Sequence, residues 1–147
     1  MNAAARLNLV GLKATIPRLK VLQVFHTHER RHLTAEDVHR RMADQKADVG
    51  LATVYRVLGQ LTDVGILTRN TFESGKAVYE VRDGTHHDHL ICLQCGRVDE
   101  FADPVIEERQ RAIAQSSGYA VAQHQLALYG YCPECCKPQK KQAPAAK

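Results

Sequence analysis

His86-His87-Asp88-His89-Leu90-Ile91-Cys92-Leu93-Gln94-Cys95 places five imidazole or thiol groups and one carboxylate within ten residues. These donors suit zinc and iron(II), so metal binding is the first expectation. Read as a strand over residues 86–90, the run sends alternate side chains to opposite faces. His87 and His89 then share one face, and His86 and Asp88 share the other. One short strand can therefore serve two separate sites. Cys92-x-x-Cys95-Gly96 reads as a knuckle with both sulfurs folded toward a third centre. The competing reading is a solvated histidine-rich loop beside two reduced, buried cysteines. The density of ligands argues against it.

Downstream, residues 97–101 form a second strand with Val98 and Glu100 on one face. Asp103-Pro104 is a cap followed by proline, which opens a helix over about residues 105–116, ending near Gly118. Glu107 and Glu108 lie in its first turn, where the helix dipole alone would account for them. Residues 119–131 alternate as a strand that places His124, Leu126 and Leu128 on one side. Cys132-Pro133-Glu134-Cys135 is a second C-x-x-C, separated from the first by 36 residues. Two such knuckles can close a tetrahedral four-thiolate zinc centre. Cys136 is left over, as a free thiol or a competing ligand. A unit of three strands and one helix is small. Its spare edge and apolar strand residues point to a dimer. Residues 137–147, rich in Lys, Pro, Gln and Ala, are expected to be disordered.

Upstream, the polar run Arg82-Asp83-Gly84-Thr85 reads as a hinge. Before it come two strand-like runs, residues 66–72 and 77–81, joined by the turn Glu73-Ser74-Gly75-Lys76. Three helices precede this hairpin. Thr15 is an expected N-cap with Pro17 in the first turn of a helix carrying Leu19, Leu22 and Phe25. Thr34-Ala35-Glu36-Asp37 is a capping-box signature for a second helix running to about Met42, with His39 expected on its exposed side. His32 sits in the loop just before that cap, where an imidazole can turn toward another part of the molecule. In the third helix Val54, Val57, Leu58, Leu61 and Val64 fall on one side, while Thr53, Tyr55, Arg56 and Gln60 point away. An exposed Tyr-Arg pair at the start of a helix can enter a major groove, Arg on guanine and Tyr on thymine methyls. An amphipathic surface helix with an incidental Tyr-Arg is the alternative. Three helices and a hairpin outline a winged helix-turn-helix, with Arg69 and Lys76 near the phosphates.

The totals are compatible with this division. The 147 residues can hold one domain or two small ones, and a 44% hydrophobic content with no tryptophan implies a mostly aliphatic core. The net charge of +4 is uneven: residues 1–82 carry 13 Lys/Arg against 8 Asp/Glu, and residues 83–147 carry 7 against 8. A basic first half fits polyanion binding. Nothing approaches the run of about 18 apolar residues that spans a bilayer. Residues 1–6 are not followed by the apolar core of a signal peptide, so a cytoplasmic protein is expected. In a reducing compartment, five cysteines fit metal ligands better than disulfides.

Three stretches, Leu12-Lys13-Ala14-Thr15-Ile16-Pro17-Arg18, Gly50-Leu51-Ala52-Thr53-Val54-Tyr55-Arg56-Val57-Leu58 and His86-His87-Asp88-His89-Leu90-Ile91-Cys92, carry a resemblance. With them, the chain closely resembles the ferric uptake regulator (Fur) family of bacterial metal-dependent repressors, from Gly11 to Cys135. The resemblance implies an α+β protein. Residues 1–82 would form a winged-helix DNA-binding domain, residues 83–85 a hinge and residues 86–136 a small α/β dimerisation domain. It implies a structural zinc on Cys92, Cys95, Cys132 and Cys135. A regulatory metal would sit on His32, Glu80, His87, His89 and Glu100, and a third metal on His86, Asp88, Glu107 and His124. It further implies a homodimer, with a tetramer left open, that grips a palindromic A/T-rich operator. Tyr55 and Arg56 would read bases beside Thr53, Lys13 would reach a minor groove, and Arg18 and Arg69 would hold phosphate.

Iron(II) is the expected co-repressor, with manganese(II), cobalt(II) or zinc(II) able to substitute. The peroxide-sensing branch resembles a site with aspartates where this chain has Glu80 and Glu100, which favours iron sensing. Zinc or manganese sensing remains the alternative within the family. A metal-dependent hydrolase would need an open coordination position and a substrate pocket, and the sequence shows no nucleophile signature or phosphate loop. A metal-storage module would not need Tyr55-Arg56 on a basic winged helix. No enzyme activity is expected.

Overall fold

In a computed structural model, residues 2–73 and 75–136 are described, and the chain divides into two compact units between Thr85 and His86. The first unit contains α1 (Ala3–Leu9), α2 (Ile16–Thr27), α3 (Ala35–Asp44), α4 (Leu51–Asp63), β1 (Leu67–Thr71) and β2 (Ala77–Val81). Local chemistry sets the helix starts. At α3 the Thr34 hydroxyl accepts from the Asp37 amide at 3.1 Å, and the Asp37 carboxylate accepts from the Thr34 amide at 3.0 Å. This capping box satisfies two amides that the helix leaves open. Thr15 occupies the cap position of α2, but its side chain makes no capping hydrogen bond. Proline at the start of α2 removes one of the open donors instead.

The core of this unit is aliphatic. Leu7, Val21, Leu22, Val38, Met42, Val54, Leu58 and Leu61 are all fully buried. In α4 the stripe of Val54, Val57, Leu58 and Leu61 turns inward, while Tyr55 and Arg56 remain exposed. Gly65 follows α4 at φ 75, a left-handed turn that glycine adopts without a Cβ clash. It feeds the antiparallel β1–β2 hairpin, whose register pairs Leu67 with Val81 and Thr71 with Ala77. Leu33 adds an antiparallel bridge to Tyr79, with reciprocal amide bonds of 3.0 and 2.8 Å.

The second unit contains β3 (Asp88–Cys92), β4 (Val98–Phe101), α5 (Pro104–Ser116) and β5 (Ala127–Gly130). Its sheet has the order β4-β3-β5, with β4 antiparallel and β5 parallel to the central strand. Asp103 caps α5, accepting from the amides of Val105 at 2.8 Å and Ile106 at 3.3 Å. No residue of α5 is buried, and Val105, Ile113, Tyr119 and Tyr131 are each more than half exposed.

Four features differ from the sequence reading. Residues 3–9 add a fourth helix, capped by the Asn2 side chain on the Ala5 amide at 2.8 Å. Helix α3 continues to Asp44, and His39 is half-buried rather than exposed. The ligand strand begins at Asp88, so His86 and His87 precede it. The last strand covers only Ala127–Gly130 of the expected 119–131. β3 offers five residues, and its ladder with β5 covers only positions 127–130, so the upstream alternation has no strand to pair with among the described residues. The expected disorder of residues 137–147 lies outside the described residues.

Candidate metal centres

The four paired cysteines converge. Cys92 ends β3, Cys95 follows in the turn, and Cys132 and Cys135 lie just beyond β5, with all four sulfurs within 4.8 Å of one another. Parallel pairing of β3 and β5 brings the knuckles together, because Cys92 stands opposite Gly130 in that ladder. Cys95 and Cys132 have sulfurs 3.8 Å apart, far beyond a disulfide. A tetrahedron with metal–sulfur bonds of about 2.3 Å has edges of about 3.8 Å, so this spacing fits zinc.

The Cys132 amide donates to the Cys92 sulfur at 3.4 Å. Amides of Cys132 and Cys95 lower the Cys92 thiol to about 6. Hydrogen bonding with Cys132 and burial push the Cys135 thiol up to about 12. Closely packed thiols resist ionising together, and a cation removes that conflict. Arg97 braces the site, with Nε 2.9 Å from Asp99 Oδ2 and Nη1 3.6 Å from Glu134 in the second knuckle. Cys136 is exposed and lies outside the four-sulfur group; its amide donates to the Cys132 carbonyl at 2.8 Å.

His86, Asp88, Glu107 and His124 form a second group with ligand atoms within 4.8 Å of one another. Glu107 Oε1 lies 2.9 Å from His86 Nε2 and 3.1 Å from His124 Nε2. Asp88 is fully buried, and neither of its oxygens accepts a hydrogen bond among the described residues. His86 Nε2 stands 3.3 Å from Asp88 Oδ1. A buried carboxylate without donors costs several kcal/mol unless a cation compensates it. The donor set and the orphaned oxygens of Asp88 therefore fit a divalent cation.

The five residues expected at a regulatory metal fall into two local arrangements. In the first unit, His32 Nε2 lies 2.7 Å from Glu80 Oε2, and both residues are buried. The Leu33–Tyr79 bridge sets this pair, since each ligand is next in sequence to a bridge residue. Asn70 Nδ2 donates to the other Glu80 oxygen at 2.9 Å. In the second unit, His89 stands opposite Glu100 in the β3–β4 register. The His87 and His89 rings are 5.0 Å apart, and His87 Nε2 is 3.8 Å from Glu100 Oε1.

The expected DNA-reading residues sit on α4 and the segment before α2. Tyr55 is 45% exposed, and its hydroxyl donates to Glu36 Oε1 at 2.7 Å. Arg56, Lys13 and Arg69 are exposed, whereas Thr53 is half-buried. Arg18 is half-buried and bonded within the protein: Nε and Nη2 donate to Gln60, and Nη1 donates to the Lys13 carbonyl at 2.8 Å. Asn70 and Glu36 were missed from sequence. Glu36 stands in the sequence only as part of the capping-box stretch of α3, and no local pattern marks Asn70.

Residues 9–129 match the Ferric uptake regulator family. The chain belongs to that family. It is 57% identical over 132 residues to the ferric uptake regulation protein of Cupriavidus metallidurans, covering 90% of this chain and 92% of that one. The Vibrio cholerae ferric uptake regulator structure is 49% identical, with a TM-score of 0.82 over 87% of this chain and 98% of that one. The Helicobacter pylori regulator, described as having three functional metal-binding sites, is 28% identical with a TM-score of 0.80, covering 92% of this chain and 90% of that one. The family consists of regulators rather than enzymes. No helix among the described residues is long and apolar enough to cross a membrane.

Proposed function

We propose that this chain is an iron(II)-responsive repressor of iron-uptake genes that carries a structural zinc. The observation that supports it most is the joining of these donor sets to a winged helix in a chain 57% identical to a ferric uptake regulation protein. Cys92, Cys95, Cys132 and Cys135 would hold zinc in a closed, structural set. His32, Glu80, His87, His89 and Glu100 would hold iron(II), with manganese(II), cobalt(II) or zinc(II) as substitutes. His86, Asp88, Glu107 and His124 would hold a third cation.

A bound divalent cation supplies the positive charge and directional bonding that bring imidazoles and carboxylates together. His32 and Glu80 belong to the winged unit, and His87, His89 and Glu100 to the other. Holding one cation with all five restricts the hinge at residues 83–85 and shifts the population toward a DNA-competent form. In the homodimer, built on residues 86–136, two α4 helices then address the half-sites of an A/T-rich palindrome. Tyr55 and Arg56 contact bases, Thr53 lies beside them, Lys13 reaches the minor groove and Arg69 holds phosphate. Arg18, bonded to Gln60 and the Lys13 carbonyl, supports Lys13 and has further N–H groups for phosphate.

The test is operator binding by zinc-loaded protein, titrated anaerobically with buffered iron(II), manganese(II) and zinc(II) at fixed salt. Activation by iron(II) at levels a cell sustains, lost in His87→Ala, is the expected result. Activation by trace zinc(II) alone would assign the chain to zinc sensing, and metal-independent binding would refute the hinge mechanism.

A further inference from the structure

Tyr55 projects from the second turn of α4 with nearly half its surface exposed, yet its hydroxyl is already engaged. It donates to Glu36 Oε1 across 2.7 Å, a short bond to a charged acceptor. Glu36 lies in the first turn of α3, where the capping box and burial of Ala35 and Val38 hold the backbone. The acceptor therefore stands on a fixed base. That hydrogen bond, first among its causes, lowers the Glu36 carboxyl below its ordinary value, and Lys76 of the wing adds to the effect. Glu36 is thus a carboxylate at neutral pH, accepting only.

We propose that Glu36 is a positioning residue that turns Tyr55 into an apolar reader of thymine. This deepens the DNA-reading assignment above and rests on it. Two consequences follow from the bond. A tyrosine has two side-chain torsions, and anchoring the hydroxyl restricts both before DNA arrives. Ordering such a side chain in advance is worth about two- to tenfold in affinity. The anchored hydroxyl also has its proton committed to Glu36, so it is not a donor to base acceptors. What remains for recognition is the ring, which matches the thymine 5-methyl group, and a hydroxyl oxygen that can only accept.

The experiment uses the manganese(II)-loaded full chain and an A/T-rich duplex that it enriches from a randomised pool. A second duplex replaces thymine by deoxyuridine, which removes the methyl groups alone. Wild type should lose about fourfold in affinity per contacted methyl. Glu36→Ala should bind the thymine duplex several-fold more weakly and show a methyl preference below about twofold. Glu36→Gln, which keeps an acceptor, should recover part of it. In a Tyr55→Phe background, Glu36→Ala should change nothing further, because the hydroxyl through which it acts is gone. Equal losses on both duplexes, or additive effects with Tyr55→Phe, would overturn the proposal. If Tyr55→Ala keeps the full methyl preference, the base-reading role of Tyr55 itself fails, a different result from failure of Glu36 alone.

Discussion

Arg18 and Gln60 join α2 to α4 through a fork: Nε and Nη2 of the guanidinium donate to the same amide oxygen at 3.2 and 3.0 Å. The remaining arm of Arg18 reaches the Lys13 carbonyl. The segment ahead of α2 is thereby tied to the helix that carries Tyr55 and Arg56. A lysine ammonium cannot reproduce a planar fork. Arg18→Lys and Gln60→Ala should each cost about 1 kcal/mol in urea unfolding, with a double variant no worse than either alone. Amide exchange around Lys13 should quicken in both. Additive losses would show that the two side chains act separately.

The four cysteines differ in how readily they ionise, and this sets a proton count. With Cys92 lowered to about 6 by neighbouring amides and Cys135 raised to about 12, Cys92 is the thiolate at pH 7. Zinc loading at pH 7 should therefore release fewer than four protons, measurable by calorimetry in buffers of different ionisation enthalpy. In the metal-free protein, the lowered Cys92 contributes stability that is fully present above about pH 9 and lost as pH falls through about 6. The raised Cys135 acts oppositely, its contribution being present below about pH 9 and lost as pH rises toward 12. Metal-free stability should rise between pH 6 and 9 and fall beyond, a profile absent from Cys92→Ser in its lower limb.

Asp88 is fully buried, and among the described residues neither of its oxygens accepts a hydrogen bond, with His86 Nε2 3.3 Å from Oδ1. Asp88→Asn removes the charge while keeping the shape. Thermal unfolding in chelator should be unchanged or raised by about 1 kcal/mol, because a desolvated charge has been relieved. With a cation at a hundredfold excess over its dissociation constant, wild type should gain about 2.7 kcal/mol, most of which the variant should lose. A variant destabilised equally with and without metal would mean Asp88 is only a packing residue.

His32 and Glu80 form a buried pair, and its two truncations are not equivalent. His32→Ala takes the imidazole from a buried carboxylate that keeps its Asn70 donor, and should cost about 3 kcal/mol in metal-free unfolding. The double variant His32→Ala/Glu80→Ala should be less damaged than His32→Ala, because no buried charge remains. His87, half-buried outside the winged unit, is consequently the cleaner position at which to separate lost metal response from lost folding.

The helices of the winged unit were legible because each signal was local. The 3.6-residue stripe from Val54 to Leu61 dictates which side of α4 is buried, and Thr34 with Asp37 dictates where α3 begins. The same reasoning predicts too long a final strand. Alternation over residues 119–131 satisfies a strand's side-chain pattern, but a strand also needs a neighbour for its amides, and within that stretch the β3 ladder reaches positions 127–130. The short helix at residues 3–9 escaped notice because it has too few turns for a clear period.

The sequence itself places His89 and Asp88 on opposite faces, because both lie in β3, where side chains alternate; His86 and His87 precede that strand, and their grouping is set by the tertiary structure. The sequence likewise supplies the donor chemistry, four thiols in two knuckles and a cluster of imidazoles. The distant members of each set, Glu107, His124, Glu80 and Glu100, came from resemblance to a family and not from any local pattern. Tertiary structure alone decided that Glu107 bridges His86 and His124, that Asn70 holds Glu80, and that the hydroxyl of Tyr55 belongs to Glu36. These contacts join separate elements of the fold, and no spacing rule links such partners; only packing brings them together.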